Sequence, residues 1–216
     1  TYVSYGQSTI LDGGVPGTVE LEEKDRSRLT KEKVLEKLTP KTKILVLPFP
    51  NNPTGSILEK EDLEAIADVV REKDLFVISD EIYSELTYGR HHCTIAALPG
   101  MKERTVLING FSKSYAMTGW RVGYLLADTR LVPQMAKLQE GIVSCVSTFS
   151  QVAAAEALKS RECVEWMRGE YARRRDILID GINSIPGFSC KKSPGSFYAF
   201  VNIKAFGKTS DEFAEE

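Results

Sequence analysis

The sequence is poor in the residues on which metal sites and disulfide frameworks depend. It contains two histidines, the adjacent His91 and His92, and four cysteines that form no Cys-x-x-Cys pair. Zinc sites use clustered Cys and His ligands, and small disulfide-stabilised scaffolds are much richer in cysteine. We therefore predict no metal site. Free thiols in a chain of this size are typical of a reducing compartment, and we predict a cytoplasmic protein.

Long apolar runs and an excess of basic charge are also absent. No apolar stretch approaches the roughly 18 residues that a membrane-spanning helix requires. Lys and Arg number 28 against 30 Asp and Glu, which gives a net charge of -2 and leaves no basic surplus to neutralise phosphates. With 42% hydrophobic residues among 216, the composition is that of a globular protein. We expect neither a membrane nor a nucleic-acid partner.

Both ends of the sequence look cut. The chain begins without Met in residues 1–5, which we predict to be a strand, and residues 13–17 are interpreted as a turn between strands. Near the other end, Thr209 and Glu212 have the spacing of a capping box that opens a helix. A helix needs more than one turn after its cap to offset the cost of nucleation. We therefore expect part of a longer polypeptide to be missing at each end.

Three apolar runs predict a parallel sheet. The runs at 43–47, 75–79 and 105–109 are continuous rather than alternating, which is typical of strands buried on both faces. Their starts lie about thirty residues apart, as in βαβ crossovers. An amphipathic helix is predicted over 61–70, between the first two strands. The predicted fold is α/β, a mostly parallel sheet with helices on both faces.

The second half of the chain is predicted to be mainly helical before its character changes. The predicted elements are a strand at 120–127, helices at 131–139, 148–159 and 164–182, and a hairpin of strands 188–190 and 197–201 around a turn at 193–196. Pro186 and Gly187 end the long helix. We divide the chain into a large domain over 1–165, a connecting helix over 166–186, and the start of a smaller α+β domain over 187–216.

Polar and ionisable residues follow each run of the predicted sheet. Asn52 comes after the first run, Asp80 and Tyr83 after the second, and Ser112 and Lys113 after the third. Ligands of open α/β sheets bind at the carboxyl ends of the strands, where these residues would converge. Each motif alone is ordinary, since Asn-Pro-Thr-Gly is a turn and Asp-Glu a common loop. Together, an amide, a carboxylate, a phenol and an amine fit an anionic heteroaromatic ligand.

The order and spacing of these motifs resemble those of the class I/II aminotransferases of pyridoxal-phosphate fold type I, which are similar to aspartate aminotransferase. The motifs are Asn-Pro-Thr-Gly at 52–55, Ser-Asp-Glu-Ile-Tyr at 79–83 and the highly specific run 110–124. The resemblance extends over nearly the whole chain. It implies that the large domain binds pyridoxal 5'-phosphate, that the substrates are an amino acid and a 2-oxo acid, and that the protein is a homodimer.

The resemblance implies catalytic roles for three residues. Lys113 would form the Schiff base with the cofactor and move the proton between Cα and C4'. Asp80 would pair with the pyridine nitrogen and keep it protonated. Tyr83 would hydrogen-bond the 3'-oxygen of the ring, which favours the ionised form of that oxygen and lowers the Schiff-base pKa.

The remaining cofactor contacts also follow from the resemblance. Asn52 would share the 3'-oxygen with Tyr83, Ser112 and Arg121 would hold the phosphate through charge-assisted bonds, and Tyr2 would stack on the ring. Gly110 stands where some members have a phosphate-binding serine. The upstream phosphate-gripping turn, the partner tyrosine and the downstream arginine of the family do not appear. We therefore expect weak or no transaminase activity from these residues alone.

Two other functions remain compatible with the same motifs. A C-S β-lyase would use the same lysine, aspartate and tyrosine for an elimination. A non-catalytic effector domain of a transcription regulator would bind the cofactor without turnover. Among aminotransferases, residues 83–89 and 98–104 are similar to the bacterial branch that acts on aspartate, aromatic or N-acetyl-diaminopimelate substrates.

Overall fold

The computed structural model describes residues 2–216 and is built around a four-stranded sheet. Its strands are β1 (Ile44–Pro48), β2 (Phe76–Asp80), β3 (Thr105–Gly110) and β4 (Gly123–Leu126), in the order β1-β2-β3-β4. The first three are parallel, and β4 pairs antiparallel with β3. The α/β class, the mostly parallel sheet and the three predicted parallel strands are confirmed.

Seven α-helices accompany the sheet in the described part of the chain. They are α1 (Ser4–Leu11), α2 (Lys31–Lys37), α3 (Lys60–Glu72), α4 (Val132–Val143), α5 (Thr148–Ala157), α6 (Arg161–Asn183) and α7 (Ser210–Ala214). A capping box between Glu59 and Asp62 opens α3, and the predicted box between Thr209 and Glu212 opens α7. The helices predicted at 61–70, 131–139, 148–159 and 164–182 correspond to α3, α4, α5 and α6.

The main core lies between one face of the sheet and helices α2 and α3. Val77 of β2 and Ile66 of α3 are fully buried there, together with Val34 of α2. On the opposite face of the sheet, the paired residues Ile44 and Phe76 are 53% and 44% exposed. At the starts of β1 and β2 the apolar runs are therefore open on this face, whereas the consecutive residues Thr105 and Val106 at the start of β3 are both buried.

The N-terminal segment differs from its prediction. The strand predicted over 1–5 is wrong for the described residues, because helix α1 begins at Ser4; Thr1 lies outside them. The Thr9 hydroxyl donates to the Tyr5 carbonyl, 2.8 Å away, one helical turn earlier. Aromatic and β-branched residues favoured a strand locally, but the Tyr5 side chain is instead held by a contact with Asp80. Residues 13–17 therefore follow a helix and do not join two strands.

The C-terminal hairpin is shorter than predicted. Strands β5 (Ser189–Cys190) and β6 (Val201–Asn202) pair antiparallel, whereas residues 197–200 are outside the ladder. Gly195 instead forms a β-bridge with Thr87. Residues 193–198, the 193–198 segment, thereby turn back toward the end of β2. The strand predicted at 120–127 is also shorter, because a 3-10 turn precedes it.

No helix within residues 2–216 is long and apolar enough to cross a membrane. Over the same residues, no group of three His, Cys, Asp or Glu side chains is arranged to hold a metal ion.

Candidate active site

The predicted site residues lie at the carboxyl ends of the parallel strands. Asp80 is the last residue of β2, and Tyr83 is in the turn that follows it. Ser112 and Lys113 follow the end of β3, and Asn52 follows the end of β1. Because the three strands run in the same direction, their ends bring these side chains to one edge of the sheet.

Two donors orient the Asp80 carboxylate. The backbone N–H of Ile82 donates to its Oδ1 at 3.1 Å, and the Tyr5 hydroxyl donates to its Oδ2. Burial raises the pKa of Tyr5 above its usual value, and the hydrogen bond to the Asp80 carboxylate raises it further. The Tyr5 phenol therefore keeps its proton at neutral pH and remains a donor to Asp80.

Lys113 and Tyr83 meet across the ring of Phe197. The Lys113 Nζ lies 5.7 Å from the centroid of the Phe197 ring, and that ring packs edge to face on Tyr83 with centroids 5.3 Å apart. Tyr83 is only 5% exposed. Its hydroxyl lies 2.6 Å from the hydroxyl of Tyr198. An amine and a buried phenol thus face the same part of the strand-end edge.

The loop after β1 presents Asn52 and uses its neighbour Asn51 internally. Asn51 is buried, its amide nitrogen donates to the Pro48 carbonyl at 3.2 Å, and its amide oxygen accepts from the Thr54 hydroxyl at 2.9 Å. The peptide bond from Asn52 to Pro53 is cis. Asn52 is partly exposed, so it is the asparagine of this loop that can reach a ligand.

Ser112 and Arg121 line one small cavity of about 210 Å³ next to the end of β3. The Thr118 hydroxyl donates to the Ser112 carbonyl at 2.7 Å, and an Arg121 guanidinium nitrogen donates to the Thr118 carbonyl at 2.9 Å. These bonds fold the loop so that a hydroxyl and a cation face the same space. Such a pair suits a phosphate group.

Gly110 closes one side of this cavity. A Cβ at Gly110 would lie 3.0 Å from the Gly123 Cα and 3.3 Å from the Ile82 side chain. The close approach of β3 and β4 therefore leaves little room for the serine that some aminotransferases have at this position. The cavity is consequently lined on this side by backbone.

Tyr2 lies at the margin of the group of site residues. Its ring packs edge to face on Tyr5 with centroids 5.8 Å apart, and its side chain is 53% exposed. Sequence reasoning did not identify Tyr5, because it treated residues 1–5 as a strand. It also assigned no role to Tyr198, which it placed in the predicted hairpin strand over 197–201.

A buried carboxylate directly follows the partly buried Asp80. Glu81 is 4% exposed, and its Oε1 accepts from the Ser79 hydroxyl at 2.9 Å and from the Thr94 hydroxyl at 2.6 Å. A ring nitrogen of His92 lies 2.8 Å from its Oε2. All of these contacts fix the turn after β2, which carries Asp80 and Tyr83.

The comparisons with known proteins assign this α/β fold, which carries a lysine, a carboxylate and a phenol at its strand ends, to the class of fold type I transferases. The crystal structure of an aromatic aminotransferase from Pyrococcus horikoshii OT3 superposes with a TM-score of 0.96 at 45% sequence identity. The match covers 100% of this chain and 58% of that one.

The sequence comparisons identify the family. The sequence model for aminotransferase class I and II matches residues 1–216. The chain therefore belongs to the class I and II aminotransferases, a family that is generally dependent on pyridoxal phosphate. It is 46% identical to an aspartate aminotransferase of Pyrococcus abyssi and 45% identical to aromatic-amino-acid aminotransferase 2 of Thermococcus litoralis. Each match covers 99% of this chain and 56% of the relative, so the chain spans about half their length.

Proposed function

We propose that the protein of which these residues form a part transfers an amino group from an amino acid to a 2-oxo acid, with pyridoxal 5'-phosphate held at Lys113. The observation that carries this proposal is the convergence of Lys113, Asp80 and Tyr83 at one sheet edge, beside a cavity lined by Ser112 and Arg121. The donor set matches the cofactor: a hydroxyl and a guanidinium for its phosphate, a carboxylate for its ring nitrogen, and an amine for its aldehyde.

The bound cofactor supplies an electron sink for the charge that develops at the substrate Cα. Lys113 would hold the cofactor covalently and then, as a free amine, remove the proton from the substrate Cα. Asp80, oriented by Tyr5 and Ile82, would hold the proton on the pyridine nitrogen. Tyr83 and Asn52 would donate to the 3'-oxygen, and Tyr2 would pack against the ring.

The substrate class and the assembly are further parts of the proposal. The names of the relatives support an aspartate or aromatic amino acid as the amino donor. We also propose a homodimer and a cytoplasmic location, in line with the family resemblance. We also propose that the cofactor-binding domain spans 1–165, that the connecting helix spans 166–186, and that 187–216 form the start of the smaller domain.

The test is an absorption spectrum of the chain with added pyridoxal phosphate, followed by an assay of amino transfer on a protein extended to the full length of its relatives. We expect a visible Schiff-base band that the Lys113→Ala variant lacks. The control variant Lys159→Ala, which changes an exposed lysine just after the end of α5, should retain the band. Asp80→Asn should reduce amino transfer by about 10² to 10³-fold, the usual cost of removing one preorganised electrostatic contact. The exposed Asp74→Asn serves as its control. Release of pyruvate and ammonia from a cysteine conjugate, with no oxo-acid acceptor present, would indicate a C-S β-lyase and contradict amino transfer.

A further inference from the structure

Tyr83 contacts a second phenol that the proposed reaction does not use. The hydroxyl oxygens of Tyr83 and Tyr198 are 2.6 Å apart, and the two rings meet edge to face with centroids separated by 5.8 Å. Phe197 packs on both rings, which limits their access to water. A phenol carries a single proton and can donate once. The direction of the Tyr83–Tyr198 bond therefore depends on whether Tyr83 donates its proton elsewhere.

The backbone around Tyr198 is held firmly in place. The N–H of Gly195 donates to the Gly55 carbonyl at 2.9 Å, which joins the 193–198 segment to the loop after β1. The Tyr88 hydroxyl donates to the Ser196 carbonyl at 2.6 Å, which joins the same segment to the chain after β2. Backbone bonds from the Ser196 N–H to the Leu86 carbonyl at 2.8 Å and from the Tyr88 N–H to the Pro194 carbonyl at 2.9 Å hold the segment as well. The backbone bonds, which do not depend on the Tyr88 hydroxyl, therefore keep Tyr198 next to Tyr83.

We propose that Tyr198 is a positioning residue, whose hydroxyl donates to the Tyr83 oxygen while the Tyr83 hydroxyl donates to the 3'-oxygen of the bound cofactor. This inference rests on the proposed function. Once Tyr83 has donated its only proton, its oxygen can only accept, and Tyr198 is the donor 2.6 Å away. Hydrogen bonds in such a chain polarise one another and strengthen each bond by about 10 to 30%. Tyr198 thus acts on the cofactor through Tyr83.

The state of Tyr83 in the structure agrees with this arrangement. Burial raises the pKa of Tyr83 above its ordinary value, and the hydrogen bond with Tyr198 raises it further. The phenol therefore keeps its proton at neutral pH and is available as a donor to the cofactor.

The test compares two tyrosine-to-phenylalanine variants of the same region. Tyr198→Phe keeps the ring packing and removes only the hydroxyl next to Tyr83. Tyr88→Phe is the matched control, because its hydroxyl contacts the same 193–198 segment through the Ser196 carbonyl. Each chain is loaded with pyridoxal phosphate, and the Schiff-base pKa is read from the visible spectrum. We expect Tyr198→Phe to raise that pKa by about 0.3 to 0.5 unit, because the bond from Tyr83 weakens. Tyr88→Phe should leave it unchanged.

A double-mutant cycle with Tyr83→Phe separates positioning from a general structural effect. In the Tyr83→Phe background, the further change Tyr198→Phe should have no effect on the Schiff-base pKa, since the residue through which it acts is gone. Equal shifts in Tyr198→Phe and Tyr88→Phe, no shift in Tyr198→Phe, or a full shift in the Tyr83→Phe background would each overturn the inference.

The hydrogen bond between Tyr83 and Tyr198 can also be measured by NMR without cofactor. The Cζ carbon resonance of Tyr83 in tyrosine-labelled protein should move in Tyr198→Phe and stay in place in Tyr88→Phe.

Different results contradict the proposed function and the proposed role of Tyr198. If neither the unmodified chain nor a chain extended to the full length of its relatives forms a Schiff-base band, the proposed function is contradicted. If the band forms and Tyr198→Phe leaves its pKa unchanged, only the role of Tyr198 is contradicted.

Discussion

Gly55 lies where the loop after β1 meets the 193–198 segment, and its replacement by alanine tests how closely the two must approach. Its φ of +68° is in the left-handed region, which costs L-residues energy. A Cβ there would overlap the Ser193 Cβ and lie 2.7 Å from the Gly195 carbonyl oxygen. Neither neighbour is the end of a flexible side chain, so the backbone would have to move.

Two costs add in the Gly55→Ala variant. A left-handed conformation costs an L-residue about 1 to 2 kcal/mol. Overpacking a tight contact costs about 1 to 3 kcal/mol more. We therefore expect the free energy of unfolding to fall by about 2 to 5 kcal/mol, a large part of the stability of an ordinary domain.

Urea denaturation of Gly55→Ala and Gly89→Ala separates the two costs. The difference between the two losses of unfolding free energy is the cost of overpacking at Gly55. Gly89 has a φ of +74°, and among the described residues no atom other than those of Gly89 and its two chain neighbours lies within 4 Å of a Cβ built on it. The Gly89→Ala control should therefore lose only about 1 to 2 kcal/mol. An equal loss of stability in the two variants would refute the close contact between Gly55 and the 193–198 segment.

Three further predictions concern stability. Burial raises the pKa of Tyr88 to about 12, so the neutral phenol contributes fully to stability below pH 10 and loses that contribution as the pH rises toward 12. The unfolding free energy measured between pH 10 and 12 should therefore fall less steeply in Tyr88→Phe than in the unmodified chain. The buried Ser196 hydroxyl has no hydrogen-bond partner among residues 2–216, and Ser196→Ala should stabilise the chain by about 1 kcal/mol or leave it unchanged in urea titration, whereas a clear loss would contradict this. The buried Asp62 caps α3 and pairs with Arg28, so Asp62→Ala should lower the unfolding free energy by about 2 to 3 kcal/mol, while the exposed Asp68→Ala should change it little.

The parallel sheet could be predicted because its strands are continuous apolar runs whose spacing leaves room for helices between them. Lys113, Asp80 and Asn52 could be located because each lies a few residues at most after such a run, and strand ends collect ligand-binding side chains. The order of these motifs then supplied the family, which the comparisons confirm.

The parts that were missed depend on contacts between distant residues. Tyr5 lies on a helix whose local sequence favours a strand, and only its contact with Asp80, 75 positions away, reveals its place at the site. Tyr198 was expected inside a hairpin strand, but its hydroxyl meets Tyr83 across 115 positions. Local patterns carry no information about such pairs, because periodicity describes one element at a time.

The most direct test of the account is to locate the lysine that binds the cofactor. The chain is incubated with pyridoxal phosphate, reduced with borohydride, digested and mapped by mass spectrometry. The account predicts one dominant adduct, on the peptide that contains Lys113, and its loss in Lys113→Ala but not in Lys159→Ala. An adduct that persists in Lys113→Ala, or one that is spread evenly over other lysines, would contradict Lys113 as the residue that holds the cofactor.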